Sequence, residues 1–182
     1  NKIISFGHTS SGGRPHAEAN TLENVHFKKN KIYTLYSTLE PCCHEGRDES
    51  CVSKILKSKK INRVIFSLID PDKRVNGKGK KILKKNNLEV KSGLLENQIK
   101  NLYQGYILNR KENRPKIILK LAITKDGYIT FEKGKRTKIT NLISDKYSDI
   151  LRSEVDAILV GANTVRIDNC ILKCKMTGLI NK

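Results

Sequence analysis

From its first residues to about position 109, short apolar runs alternate with runs whose apolar residues stand three and four apart. That rhythm leaves few folds open, because strand-like and helix-like runs can bury their apolar faces only against each other, as α/β layers. Strands are expected at 31–37, 63–68 and 88–91, and helices at 16–24, 51–58, 79–86 and 96–108. The last helix carries Ile99, Leu102, Tyr103 and Tyr106 at helical spacing. Gly12-Gly13-Arg14-Pro15 reads as a turn feeding the first helix, with Pro15 in its opening positions, where a missing N–H forfeits no intrahelical bond. The charged stretch Arg110-Lys111-Glu112-Asn113-Arg114 interrupts the pattern and marks a domain boundary. Beyond it, a strand-like run at 116–123, a turn at Asp126-Gly127, a helix at 145–153 and a buried-strand run at 157–160 ending on Gly161 are expected. Two strands and a helix do not easily close an α/β core of their own, so this second unit reads as unfinished.

The chain has 182 residues, room for one full domain and part of another. No segment approaches the ~20 apolar residues that cross a bilayer, so no membrane role is expected. No secretory signal is visible, although the first residue is Asn1 and not Met, and the default location is the cytoplasm. Lys and Arg number 36 against 18 acidic residues, a net charge of +18, which raises nucleic-acid binding. Against it, the lysines are scattered, aromatics are 5% and Trp is absent, so stacking platforms for single strands are scarce. The charge fits better with solvated lysines, or with a field that draws in a small phosphorylated substrate. Five cysteines without a secretory signal disfavour disulfides. Cys170 and Cys174 read as reduced structural thiols and Cys43 as a bystander.

The chemistry concentrates in Pro15-His16-Ala17-Glu18, then Thr38-Leu39-Glu40-Pro41-Cys42 after an intervening strand, then Cys51. One imidazole and two thiolates form a three-ligand set for Zn²⁺, which in catalytic sites keeps a further position for water. The metal brings the pKa of that water towards neutrality. Glu18, two residues after His16, is placed to take the proton and deliver it to a ring nitrogen and a leaving amine, which is hydrolytic deamination. His16 and Cys51 both fall at expected helix starts, where the helix dipole favours anionic ligands and lowers a thiol pKa. The H-x-E and P-C pattern is the known signature of zinc base deaminases. Here, however, the second cysteine lies nine positions after Cys42, with His44-Glu45-Gly46-Arg47 in the loop between.

With that longer loop, P-H-A-E, T-L-E-P-C and C-H-E-G-R resemble the deaminase domain of the bifunctional riboflavin-biosynthesis deaminase/reductases. Asp70-Pro71 and Gly77-Lys78-Gly79 continue the likeness, and Leu119-Lys120-Leu121-Ala122, Asp126-Gly127, Leu159-Val160-Gly161, Thr164 and Asp168-Asn169 look like the opening of the family's reductase domain. The resemblance implies a cytidine-deaminase-like three-layer α/β/α domain over 1–110 and the start of a dihydrofolate-reductase-like domain over 115–182. It also implies that the chain is clipped at both ends, lacking the family's first helix and strand. The implied substrate is a diamino-hydroxy-pyrimidine bearing a ribosylamino 5-phosphate, deaminated with Zn²⁺ and then reduced with NADPH. His44 and Arg47 match substrate-contacting positions, as do Leu172 and Lys175 in the reductase part; Ala122, Thr164 and Asp168 match NADPH-contacting ones. Asp72 stands where the family has Asn, and its charge is expected to oppose a phosphate. Lys175 replaces a guanidinium with a less directional point charge, and Arg136 and Lys138 replace small-polar and aromatic positions. Two rival readings stay open: a tRNA or nucleotide deaminase, and an inactive zinc-stabilised fragment. A homo-oligomer also stays open.

Overall fold

The structure, a computed structural model, describes residues 2–46, 48–135 and 137–179. The chain divides into two compact units, Asn1–Ile117 and Ile118–Lys182. No helix among the described residues is long and apolar enough to cross a membrane.

The first unit runs α1 (Ala17–Glu23), β1 (Tyr33–Leu39), α2 (Cys51–Ser58), β2 (Ile61–Leu68), α3 (Lys78–Lys85), β3 (Glu89–Ser92), α4 (Glu96–Leu102) and α5 (Gln104–Glu112). The strands form a parallel sheet in the order β1-β2-β3, with Leu35 opposite Val64, Leu39 opposite Leu68 and Val64 opposite Val90. Parallel neighbours need a crossover, and α2 and α3 supply the two. Burial explains the central strand: Val64 and Phe66 are fully inaccessible, and they share one core with Leu35, Val52, Ile55, Leu83 and Val90. At about 1.5–3 kcal/mol for each large side chain removed from water, this cluster holds α2 and α3 on the sheet.

Local chemistry fixes where α2 begins. Ser50 is its N-cap, its Oγ accepting the Ser53 N–H at 3.2 Å, which satisfies a donor the helix cannot satisfy itself. Cys51 is therefore the first helical residue, and Cys51, Val52 and Ile55 face the interior. Each expected strand and helix of this unit is present within a few residues, with two corrections. Pro15 lies before the helix rather than in it, since His16 is the N-cap of α1. The expected helix at 96–108 is two helices broken at Tyr103 (φ −89°, ψ 9°). Around the break the Tyr103 hydroxyl meets Thr38 Oγ1 at 2.8 Å and the Tyr106 hydroxyl donates to Asp70 Oδ1 at 2.9 Å. Two tyrosines tied to the ends of different strands do not require one straight helix between them.

The second unit contains α6 (Leu142–Ser153) and α7 (Ala162–Asp168). Asn141 caps α6, its Oδ1 accepting the Ser144 N–H at 2.9 Å. The turn at Asp126-Gly127 is present, with Gly127 at φ +91°, a conformation that favours glycine. The expected strands at 116–123 and 157–160 are not formed, and Leu159 is 97% exposed. A strand needs neighbours for its N–H and C=O groups, and none pairs with either run among the described residues.

Candidate metal centre

Three elements, α1, β1 and α2, carry the four residues of the centre. His16 caps α1 without using its side chain to do so, which leaves the imidazole free to point elsewhere. Glu18 follows in the first turn of α1 and is buried. Cys42 lies just beyond the carboxyl end of β1, the end of a parallel strand at which α/β folds gather ligands. Cys51 opens α2.

These pieces converge. One donor atom each from His16, Cys42 and Cys51 lie within 4.8 Å of one another. The Cys51 Sγ is 3.5 Å from His16 Nδ1, and the Cys51 backbone N–H donates to Cys42 Sγ at 3.3 Å. Donors bound tetrahedrally at about 2.0–2.3 Å from zinc stand roughly 3.5 Å apart, so the imidazole and two sulfurs fit one such ion. Without a metal the set shares protons. Cys42 is held down at about 3, first by the Cys51 thiol hydrogen-bonded to it and then by His16. Cys51 is pushed far up by its bond to Cys42 and by burial, and His16 is raised by its bond to Cys42. Cys42 is thus the thiolate of the pair, which is the form that ligates metals.

Glu18 touches this set directly. Its Oε2 is 3.6 Å from Cys51 Sγ, and its Oε1 is 3.0 Å from Ser37 Oγ on β1. Ser37 has Leu39 O as a second acceptor at 2.6 Å. A groove of about 1140 Å³ reaches the centre, with His16, Glu18, Cys42, Asp70, Tyr103 and Tyr106 in its lining. Ser37 has no distinguishing signal in the sequence, Asp70 stands out there only through the family likeness, and Tyr103 and Tyr106 only as positions at helical spacing. Their place at this groove becomes visible only once strand ends and the α4–α5 break are in place.

The remaining expected site residues are more dispersed. His44 is half-buried, its Nδ1 shielded and without a hydrogen-bond partner among the described residues. Arg47 and Arg136 lie outside the described residues. In the second unit, Thr164 and Asp168 stand four apart on α7, Ala122 is on the irregular run before the Asp126-Gly127 turn, and Leu172 and Lys175 follow α7. No side-chain hydrogen bond or ion pair among the described residues links these five to one another. Lys138 is paired with Asp145 at 3.3 Å. Asp72 is not the bare charge that its departure from Asn suggests. The Arg74 guanidinium bonds both its oxygens, Nε at 3.0 Å and Nη2 at 2.6 Å, Arg110 approaches to 3.9 Å, and Arg74 holds its carboxyl well below the usual range. Its repulsion of an anion is therefore largely compensated.

Comparison with known proteins accounts for both units. A family model described as the cytidine and deoxycytidylate deaminase zinc-binding region matches residues 1–68, which include His16, Glu18, Cys42 and Cys51, and the RibD C-terminal domain matches residues 115–180. The riboflavin biosynthesis protein RibD of Aquifex aeolicus is 39% identical over 168 residues, 92% of this chain and 47% of that protein. This chain belongs to the RibD family. The RibD of Synechocystis is 33% identical over 180 residues, covering 99% of the chain and 48% of the relative. Among solved structures, the Thermotoga maritima diaminohydroxyphosphoribosylaminopyrimidine deaminase/5-amino-6-(5-phosphoribosylamino)uracil reductase matches with a TM-score of 0.87 at 35% identity, over 97% of this chain and 50% of that one. Acinetobacter baumannii RibD also gives 0.87, at 31% identity over 97% and 49%. The chain thus spans about half the length of the RibD proteins it matches. The expected architecture, a cytidine-deaminase-like α/β domain followed by the opening of the RibD C-terminal domain, is the one found.

Proposed function

We propose that residues 1–110 carry a zinc-dependent hydrolytic deaminase of riboflavin biosynthesis, acting in the cytoplasm on 2,5-diamino-6-(5-phosphoribosylamino)pyrimidin-4-one. The observation that carries the reading is the convergence of His16, Cys42 and Cys51 donors within 4.8 Å, with the buried Glu18 carboxylate against Cys51. His16, Cys42 and Cys51 hold the zinc. Bound there, the metal acidifies water and so supplies a hydrolytic nucleophile near neutral pH.

The chain's own groups do the rest. Glu18 accepts one proton from the attacking water and passes it to the ring nitrogen, then accepts the second from the same oxygen and passes it to the departing amine, so that a C–NH₂ becomes C=O and ammonia leaves. Ser37 fixes the orientation of the Glu18 carboxylate through Oε1. Burial on the groove wall limits the other waters that reach Glu18, which keeps its proton for the substrate. His44 and Arg47 take the substrate, the guanidinium being suited to a phosphate. Residues 115–182 belong to the reductase part of the whole protein, where Ala122, Thr164 and Asp168 contribute to NADPH contact and Leu172 and Lys175 to substrate contact. The reductive step is assigned to full-length RibD proteins, of whose length this chain spans about half.

The test is ammonia release by the zinc-loaded chain against Glu18→Gln. The variant should retain one zinc and lose at least about a hundredfold in turnover, the scale of a lost general base. Undiminished turnover by Glu18→Gln removes that residue from its role, and turnover of cytidylate or a tRNA in place of the phosphoribosylamino-pyrimidine assigns another substrate.

A further inference from the structure

The most buried acidic residue of the first unit is not Glu18 but Glu40, at 2% exposure. It touches none of the three donors through a hydrogen bond among the described residues, yet it stands two positions before Cys42. Its carboxylate gathers backbone donors from two other segments: Oε2 accepts the N–H of Gly77 at 2.8 Å and of Asp70 at 3.3 Å, and Oε1 accepts that of Lys80 at 2.9 Å. Its own N–H donates to Leu68 O at 2.9 Å, at the end of β2.

These contacts serve as the cap that α3 lacks. Gly77, the N-cap of α3, has no side chain, and the first-turn N–H groups of any helix need outside acceptors. Glu40 provides them from the end of β1, and in doing so the α3 start grips the Glu40-Pro41-Cys42 loop. The fit is close: a Cβ on Gly79 would collide with Pro41 O. On its other side the loop is held by α2, where the Val52 N–H donates to Cys42 O at 3.0 Å and the Cys51 N–H to Cys42 Sγ at 3.3 Å. Cys42 therefore sits between two helix starts. One is tied to it directly, and the other is tied through Glu40.

We infer that Glu40 is a positioning residue for the metal centre: by bonding the start of α3 and the end of β2 it sets the place of Cys42 and so the affinity for metal, without touching metal or substrate. The inference rests on the zinc reading above and adds to it a residue outside the ligand set. Partners that orient ligands typically change metal affinity by about 10–100-fold when removed.

The test is Co²⁺ titration of the metal-free full chain, followed by thiolate-to-cobalt absorption, with Zn²⁺ competition. Glu40→Gln replaces one acceptor oxygen with an N–H₂ facing backbone donors, and it should weaken cobalt binding by about 10–100-fold while the far-UV spectrum stays that of the folded chain. Gly79→Ala approaches the same loop from α3. Alanine favours helix over glycine, yet the variant should also bind cobalt more weakly, because Pro41 must give way. Val90→Ala, a core change away from the loop, should lower the melting temperature and leave cobalt affinity unchanged. If folded Glu40→Gln binds as tightly as the unaltered chain, or Val90→Ala weakens cobalt as much as Glu40→Gln does, Glu40 has no positioning role. Should Glu40→Gln fail to fold, Gly79→Ala decides, and unaltered affinity in that variant overturns the inference. If the unaltered chain binds no cobalt at one equivalent, the zinc reading and this inference fall together; if it binds and folded Glu40→Gln binds as tightly, the inference alone falls.

Discussion

Replacing Ser37 by Ala isolates the contact that aims Glu18. The Ser37 hydroxyl has one hydrogen and two candidate acceptors, Leu39 O at 2.6 Å and Glu18 Oε1 at 3.0 Å. When Glu18 is a carboxylate the hydroxyl can donate to it; when Glu18 carries the transferred proton, the acid can donate back to Oγ while the hydroxyl turns to Leu39 O. Ser37 can therefore follow both protonation states that a general base visits. A hydrogen bond to a charged group contributes about 1.5–3 kcal/mol, and the competing Leu39 carbonyl puts this one at the lower end, about 1.5 kcal/mol. Spent on orientation in the transition state, that is roughly a tenfold loss in kcat. Steady-state ammonia release, with zinc content measured on the same samples, should show Ser37→Ala slowed about tenfold at unchanged KM and full zinc. An unchanged kcat, or a change confined to KM, refutes the assignment of Ser37 to Glu18.

Two further outcomes follow from the packing and the charges. Phe66→Ala empties the centre of a core in which Phe66 is fully buried, and should cost about 3–5 kcal/mol, read as a lower urea midpoint; a loss under about 1 kcal/mol means that the core is not packed as described. Asp72 has its pKa lowered on folding by Arg74, so its ion pair stabilises the chain above the unfolded carboxylate pKa of about 3.9 and is lost as pH falls towards the lower folded value. Asp72→Asn should therefore be less stable than the unaltered chain at neutral pH, with the gap closing below about pH 4 in thermal melts; a gap independent of pH contradicts the pairing.

The ligand set is legible in the sequence because metal chemistry restricts it to few residue types and because helix starts and strand ends can be read locally. His16, Cys42 and Cys51 need only that two helix starts and a strand end should meet, and the α/β rhythm of the first unit already implies layers that could bring them there. Glu40 is visible as a letter in T-L-E-P-C but not as a clasp, since its partners at Asp70, Gly77 and Lys80 lie 30 to 40 positions away. The break at Tyr103 is hidden for the same reason: apolar periodicity continues through it, and only contacts with Thr38 and Asp70 distinguish the two helices. In the second unit periodicity misleads. The run Ala157-Ile158-Leu159-Val160 reports a preference for burial, but a preference does not supply the neighbouring strand that would satisfy it, and Leu159 stays exposed.

Zinc-edge X-ray absorption on the zinc-loaded chain, set beside Cys51→Ser, addresses the metal centre without any assay of turnover. One zinc with two sulfur ligands and at least one imidazole, falling to a single sulfur in Cys51→Ser, is the predicted result. A zinc shell of nitrogen and oxygen alone, or two sulfurs retained in Cys51→Ser, contradicts it.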